Sequence, residues 1–225
     1  MQSNYILFGP VHILTLLSIP ALASGLALCV RFGLTAKRAR LGLALMLIVN
    51  SIVWYGYLAA RGWLEFPESL PLELCDATLV LTILALLTLN PLSFDLAYYG
   101  ALAGTTMALL TPDLWEPFPS FSTVQFFIAH GLVIVGILFL VWTNQARPRP
   151  GSVWRAMLGV NVFAALVGGF NAIFGTNYMY LRAKPQNPSL LDYFGPWPWY
   201  LLSGEVVALL LFTLLWLPFR RDGSR

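Results

Sequence analysis

Seven long apolar stretches divide the sequence and restrict its fold more than any other feature. They cover about 8–31, 41–60, 71–89, 94–111, 122–143, 153–175 and 196–217. Each approaches the roughly 20 residues that a helix needs to cross a hydrocarbon core. Because 58% of the residues are hydrophobic and only 10% are charged, a soluble domain is excluded. We predict an all-α, polytopic transmembrane bundle that forms a single domain over residues 1–225.

The third and fourth stretches are separated only by Asn90-Pro91-Leu92-Ser93, which predicts a tight helical hairpin. Six spanning helices with one re-entrant segment remain an alternative to seven. The amino terminus has no basic region before its first apolar stretch, so we expect that stretch to be retained as a helix. Within the fourth stretch, Gly100 and Gly104 have the spacing of a close helix contact.

The basic residues predict the orientation. Ten of the thirteen fall on one side of the predicted bundle: Arg31, Lys37, Arg38, Arg40, Arg147, Arg149, Arg155, Arg220, Arg221 and Arg225. Basic loops face the cytoplasm. We therefore predict an outside amino terminus and a cytoplasmic carboxyl terminus, in a bacterial cytoplasmic membrane. The basic residues flank helices and form no patch interleaved with aromatic residues, so no nucleic-acid partner is expected.

Polar residues gather in the predicted outer half of the bundle. Helix rise places Cys75, His130 and Glu205 within about 6–12 Å of the outer helix ends, with His12 and Asn171 in the same layer. The inner half is expected to hold little that is polar beyond Cys29. Ionisable groups inside a membrane are costly, so each suggests a function with a partner.

Each of these residues also has a structural alternative. Cys75 could be a packing thiol, although the first turn of a helix favours a thiolate. His12 could be an interfacial histidine with its hydrogen bonds satisfied, and Glu205 could form an interhelical hydrogen bond. Because Glu205 is expected well below the aqueous boundary, it should be protonated or paired with a cation such as a histidine. Cys29 and Cys75 are expected on opposite sides of the membrane and cannot pair.

Four phrases resemble a known family. They are Leu70-Pro71-Leu72-Glu73-Leu74-Cys75-Asp76, residues 126–131 (FFIAHG), residues 175–181 (GTNYMYL) and residues 189–200 (SLLDYFGPWPWY). Their order and spacing resemble the bacterial YwaF-like integral membrane proteins, which are similar to the eukaryotic transmembrane protein 164 group. That resemblance implies acyl transfer onto lysophospholipids, with Cys75 as the catalytic cysteine and His130 as its partner.

Under this interpretation His130 accepts the proton of Cys75, and the thiolate takes an acyl group from an ester. The partner is a membrane phospholipid or lysophospholipid, and no cofactor or metal is expected. Asp76 is interpreted as an orienting or substrate-facing group. The candidate substrate-binding residues are His12, Asp76, Asn171, Asn177, Tyr178, Tyr180, Arg182, Asp192, Trp197, Tyr200 and Glu205.

Two other functions remain open. A metal-dependent lipid hydrolase could use His12, His130, Cys75 and an acid, although these residues have no metal-site spacing. A lipid-binding or transport protein without catalysis could use Glu205, Asn50 and Asn161 as a polar path. The sequence sets neither the substrate nor the oligomeric state.

Overall fold

The computed structural model describes residues 6–114, 116, 118–185 and 189–220. Arg221 and Arg225, used above for orientation, lie outside this range. Within the described residues the chain has seven main helices and no strand, which confirms the predicted all-α bundle. They are α1 (Pro10–Arg31), α2 (Ala36–Ala60), α3 (Leu74–Thr88), α4 (91–110), α5 (Phe121–Trp142), α6 (Ser152–Phe174) and α7 (Trp199–Trp216).

Five of these helices are long and apolar enough to cross a membrane: α1, α2, α5, α6, and α7 with the short 3-10 turn that follows it. Helix α3 is apolar but has only 15 residues. Helix α4 is helical from residue 91 to residue 110 but changes its winding, because a π-helical segment (Gly100–Thr105) separates the α-helical pieces Pro91–Tyr99 and Thr106–Leu110. The orientation in the membrane stays a prediction.

The hairpin between α3 and α4 forms as predicted. Leu89 adopts a left-handed conformation that ends α3, and the Asn90 side chain accepts hydrogen bonds from the N–H groups of Leu92 and Ser93. Pro91 begins α4, where its missing N–H costs nothing. Two such capping devices within three residues reverse the chain and make α3 and α4 antiparallel neighbours.

Helix α5 lies at the centre of the bundle. More than half of it is buried, and it packs against α1, α2, α3 and α4. Gly136 of α5 allows a close approach to α3, because a Cβ atom there would lie 3.3 Å from Thr82 and 3.2 Å from Leu86. Helices α6 and α7 pack on α4, so α4 connects the central group to the peripheral pair.

Close packing also fixes α4 against α3. A Cβ atom on Gly100 would lie 2.5 Å from the Thr78 hydroxyl oxygen, and one on Gly104 would lie 3.7 Å from Leu74. The predicted close helix contact is therefore present, and Gly100 is its tightest point.

The bundle has two ends with different connections. One end comprises the loops 61–73, 111–120 and 175–198, and we call it the Cys75 end. The opposite end, with the connections 32–35 and 143–151, is called the Asp95 end.

Candidate active site

Cys75 lies in the first turn of α3, directly after the residue that caps the helix. Glu73 is this N-cap, and its backbone N–H donates to Asp76 Oδ2 at 3.1 Å. The Glu73 side chain reaches the other way, where its Oε2 accepts the Met179 N–H at 2.9 Å. The beginning of α3 is therefore tied to the 175–198 loop at the position of the thiol.

Further polar groups surround this helix end. Tyr180 donates its hydroxyl to Asp113 Oδ2 at 2.7 Å, and the charges of Glu73 and Cys75 also act on the Tyr180 hydroxyl. Asp113 is likewise close enough to Glu73 to affect its ionisation. We call Glu73, Cys75, Asp76, Asp113 and Tyr180 the Cys75 cluster. Three loops or helix ends meet there, and three of the five side chains are acids.

The cluster is crowded with potential negative charge. Burial raises the pKa of Glu73 to about 7, the Met179 N–H opposes this shift, and the charges of Asp76 and Asp113 add to it. Burial, the hydrogen bond to Asp113 and the nearby acids raise the pKa of Tyr180. Glu73 and Asp76 have no Lys or Arg partner within the described part of the chain. A carboxyl that titrates near neutral pH can exchange protons with a neighbour.

The depth of the cluster follows from α2. Arg40 of α2 donates to the Leu86 and Leu87 carbonyls at the far end of α3. From Arg40 helix α2 continues for 20 residues to Ala60, whereas from Leu86 helix α3 extends only 12 residues back to Leu74, so the beginning of α3 lies below the end of α2 by roughly 12 Å.

His130 has the tautomer that a general base requires. Its Nδ1 donates to the Phe126 carbonyl at 2.8 Å, so Nε2 carries the lone pair. The ring stacks on Phe126 with centroids 3.9 Å apart. Both contacts lie within one turn of α5, which leaves Nε2 directed away from its own helix backbone.

The packing of α5 on α3 gives the position of His130 relative to Cys75. Gly136 lies beside Thr82 and Leu86, and six residues back along α5 brings His130 to about the level of Thr78, one turn below the thiol. Six residues also turn the helix by about 240°, so His130 points about 120° away from the face that touches α3. Among the described residues, Cys75 and His130 share no hydrogen bond.

His12 is fully buried, with both ring nitrogens in use. Its Nδ1 accepts the Phe8 N–H at 3.0 Å, so Nε2 donates to the Leu109 carbonyl at 2.8 Å. These bonds join the beginning of α1 to the end of α4. This geometry is that of a histidine with its hydrogen bonds satisfied, the structural alternative given above for His12.

Three predicted substrate-binding residues organise the 175–198 loop. The buried Asn171 amide binds the backbone N–H and C=O of Tyr178, while Asn177 binds the backbone of Arg182 and Ala183. The Tyr178 hydroxyl donates to the Pro67 carbonyl and accepts the Leu70 N–H. These side chains bind the chain itself and hold the loop over the end of α3.

The remaining loop candidates lie around the same structure. Arg182 is exposed and donates to the Asn171 carbonyl, and the Tyr200 hydroxyl donates to the Tyr180 carbonyl. Trp197 Nε1 donates to the Leu181 carbonyl at 3.1 Å. Asp192 caps the 3-10 turn Leu190–Phe194 through the Ser189 N–H.

Glu205 and Asn161 connect α7 with α6. The Asn161 amide donates to Glu205 Oε2 at 2.9 Å and to its own helix at Met157. Among the described residues Glu205 is thus bound by an amide and forms no ion pair, and the bond to Asn161 joins two helices. Asn50, the other residue considered for a polar path, has a buried Nδ2 without an acceptor in the described part of the chain.

Sequence reasoning did not assign Asp95, the most buried acid in the described part of the protein. It has no exposed surface, and its carboxylate accepts hydrogen bonds from the guanidinium groups of Arg149 and Arg155 and from the Arg149 backbone N–H at 2.7–3.2 Å. The expectation that the inner half holds little beyond Cys29 was wrong. An acid inside the apolar stretch 94–111, with arginines flanking a later helix at the same end, was the available signal.

Glu73 and Asp113 were also not assigned to the site. Their role in the Cys75 cluster depends on loops that meet only in the folded chain. Within the described residues no group of three His, Cys, Asp or Glu side chains is arranged to hold a metal ion, so the metal-dependent alternative gains no support. Cys29 and Cys75 are both free thiols, and Cys29 is exposed on α1.

These features define a polytopic helical membrane protein with a polar, loop-covered cluster at one end of its bundle. The family model described as "TMEM164 family" matches residues 7–216, and the chain belongs to that family. An uncharacterized protein of Treponema pallidum (strain Nichols) is 28% identical over 222 residues, covering 96% of this chain and 90% of that protein. No solved structure matches.

Proposed function

We propose that this protein is a cysteine-dependent acyltransferase, or acyl hydrolase, that acts on membrane phospholipids with Cys75 as the nucleophile. The observation that carries the proposal is the position of Cys75 in the first turn of α3, where the helix dipole favours a thiolate, next to the loop that the helix N-cap Glu73 binds through the Met179 N–H. A lone packing thiol requires no such surroundings. The resemblance to the eukaryotic transmembrane protein 164 group implies the same chemistry.

The reaction has two steps. The Cys75 thiol transfers its proton to His130 Nε2, and the sulfur attacks the acyl carbonyl of a phospholipid. The ester C–O bond breaks, and the leaving oxygen takes the proton from His130. A lysophospholipid hydroxyl, or water, then gives its proton to His130 and attacks the thioester, and the Cys75 sulfur leaves and regains a proton.

His130 must move closer to Cys75 for this transfer, since the resting structure has no hydrogen bond between them. Resting active sites commonly have loose catalytic contacts that tighten with substrate. Glu73 is a competing proton acceptor, because it lies two residues from Cys75. Arg182, an exposed residue of the 175–198 loop, suits the phosphate of the substrate.

The acyl groups approach from the leaflet at the Cys75 end. On the predicted orientation this is the outer leaflet of a bacterial cytoplasmic membrane. The loop 175–198 would cover the thioester, while Tyr180 offers a hydroxyl to the developing oxyanion if it releases Asp113.

Two measurements test the proposal: the transfer of an acyl group and the detection of an acyl-thioester on Cys75. Purified protein in phosphatidylcholine liposomes receives lysophosphatidylcholine with a labelled headgroup, and labelled phosphatidylcholine is measured. We expect Cys75→Ser to reduce the product by at least about a hundredfold. Mass spectrometry should find an acyl group on Cys75 that hydroxylamine removes.

Cys29→Ser is the matched control, since it removes the other thiol at an exposed position on α1. Its activity should remain within about twofold of the wild type. Full activity of Cys75→Ser would end the proposal and leave the non-catalytic lipid-binding or transport alternative.

A further inference from the structure

A groove lies between α4 and α6 at the Asp95 end, far from the Cys75 cluster. It has a volume of about 380 Å³ and is lined by Leu92 and Leu96 of α4 and by Leu158, Gly159, Val162 and Leu166 of α6, among others. The floor forms where Gly159 meets Leu96, since a Cβ atom at Gly159 would lie 2.8 Å from Leu96 Cδ2. The absent side chain leaves an apolar furrow open to the surrounding lipid.

Arg155 gives one end of this furrow a positive charge. Its Nε and Nη2 donate to Asp95 Oδ2, and Nη2 also donates to the Pro150 carbonyl. The two N–H groups on Nη1 have no acceptor among the described residues, and about a third of the side chain is exposed. A guanidinium with one free edge can bind a phosphate oxygen.

The charge at this end is not balanced by Asp95. One carboxylate faces two guanidinium groups, those of Arg149 and Arg155, so the three residues together carry one net positive charge. An anion that binds Arg155 would neutralise the group. A zwitterionic molecule would bring its own cation and gain less.

The dimensions of the furrow match one lipid leaflet. From Arg155 to Leu166 the helix α6 rises about 16 Å, close to half of the roughly 30 Å hydrocarbon core. Arg155 is three residues from the beginning of α6, about 5 Å from the helix end. A headgroup at Arg155 therefore sends its chain along the furrow toward the middle of the membrane.

We propose that the groove between α4 and α6 binds one phospholipid with a net negative headgroup, its phosphate on Arg155 and an acyl chain along Leu96, Val162 and Leu166. The site is separate from the proposed acyl transfer and does not depend on it. Charge and apolar length occur together at the furrow, and Arg155 is the only charged residue of α6.

Native mass spectrometry tests this proposal with the full-length protein. Detergent-solubilised protein is titrated with dioleoyl phosphatidylglycerol and, separately, with dioleoyl phosphatidylcholine, which has the same chains and no net charge. We expect the wild type to retain phosphatidylglycerol about fivefold or more over phosphatidylcholine. Arg155→Gln should reduce this preference to about twofold or less.

Arg149→Gln is the matched control. It removes the same charge and one partner of the same Asp95 carboxylate, but Arg149 does not line the furrow. It should reduce the preference clearly less than Arg155→Gln does, because Arg155 still presents its free Nη1 edge to the headgroup although the net charge of the group is lost. Equal loss in the two variants, or no preference in the wild type, would overturn the proposal.

A second pair of variants leaves the ion pairs intact and tests the acyl-chain half. Val162→Trp fills the furrow and should lower the binding of both lipids at least threefold. Ile173→Trp places the same side chain at an exposed position outside the furrow on the same helix and should leave binding unchanged. Unchanged lipid binding by Val162→Trp would count against the proposal even if Arg155→Gln failed to fold.

Discussion

Both ends of the bundle bury acidic groups, but the acid at the Asp95 end is bound by basic side chains, whereas the acids of the Cys75 cluster lie close to one another. At the Asp95 end a single carboxylate with no exposed surface is bound by two guanidinium groups. In the Cys75 cluster three acids approach one another, and neither Glu73 nor Asp76 has a basic partner in the described part of the chain. Buried charge that is compensated fixes structure, whereas uncompensated acids are suited to exchanging protons.

The difference extends to the neighbouring chain segments. Asp95 connects α4 with the beginning of α6, and the Tyr99 hydroxyl adds a hydrogen bond to Ser152 at 2.7 Å. These contacts join helices. In the Cys75 cluster the bonds run between a helix end and a loop, as between Glu73 and Met179. A loop can yield to a substrate more readily than a helix pair can separate.

Replacing His130 is expected to have the largest effect. His130→Gln removes the proposed base and should lower acyl transfer by about 10²–10⁴-fold, the usual contribution of a positioned base. Glu73→Gln should lower it less than about tenfold. The liposome assay for labelled phosphatidylcholine measures both.

If Glu73→Gln lowered acyl transfer more than His130→Gln did, the base that accepts the Cys75 proton would be Glu73, within the Cys75 cluster, rather than His130. His12→Gln is a useful comparison, because His12 is a second buried histidine with bonds to the backbone. Its loss should appear as reduced stability rather than as a specific loss of turnover.

Asp95→Asn should destabilise the fold by about 2–4 kcal/mol, since it leaves two guanidinium groups around a neutral amide. We place the value below that of a fully buried pair because both arginines are partly exposed. Chemical unfolding in mixed micelles measures the change.

Glu116→Gln is the control, because Glu116 is partly exposed, lies 4.0 Å from Arg61, and accepts hydrogen bonds from the Ser122 and Tyr57 hydroxyls that a glutamine oxygen can also accept. Its effect should stay below about 1 kcal/mol. A similarly small effect of Asp95→Asn would contradict the structural role assigned to the Asp95 end.

Glu73 should make stability depend on pH. Its raised pKa means that the folded protein holds this proton more tightly than the unfolded chain does. The resulting stabilisation is complete below the ordinary glutamate pKa and is lost as the pH rises through about 7. Between pH 5 and pH 8 the apparent Tm of the wild type should fall roughly 2–5 °C more than that of Glu73→Gln.

Glutamine retains an oxygen for the Met179 N–H, so the variant isolates the ionisation. Glu65→Gln, at an exposed position in the same connection, should follow the wild-type profile. If the apparent Tm of the wild type and of Glu73→Gln changed equally with pH, ionisation of Glu73 would not affect stability and the prediction would be wrong.

Asn50→Leu should have the smallest effect, within about 1 kcal/mol and toward greater stability. The Asn50 amide lies between the two ends and has a buried N–H without an acceptor among the described residues, so its removal relieves an unmet polar group. Thermal unfolding measures this change, with Asn161→Leu as the control because that variant loses a bond to Glu205. Marked destabilisation by Asn50→Leu would instead indicate that the amide has a partner in the membrane.

The sequence predicted the helices well because hydrophobic length and proline positions determine them directly. The turn at Asn90-Pro91 is a local signal, and both of its capping devices involve residues in or next to it. The predicted third segment began at 71, whereas α3 begins at Leu74, because Glu73 caps the helix and leaves Pro71 and Leu72 outside it. The π-helical turn in α4 has no comparable local signal.

The site was less predictable because its contacts join distant parts of the chain. Tyr180 meets Asp113 across 67 positions, and Met179 meets Glu73 across 106. No periodicity encodes such pairs. His130 shows a related difficulty: its depth could be estimated from helix rise, but its direction around α5 required the packing of Gly136 on α3.

The short α3 has a consequence for the surrounding bilayer. Fifteen residues rise about 22 Å, some 8 Å less than a typical hydrocarbon core. Arg40 of α2 donates to the Leu86 and Leu87 carbonyls at the far end of α3, and so fixes that end. The connection 61–73 must then descend beside α2 to reach Leu74, and the side chain of Phe66 on this connection is 65% exposed. We therefore expect the bilayer to be locally thinner beside α3, so that lipid esters and water can meet at the depth of Cys75.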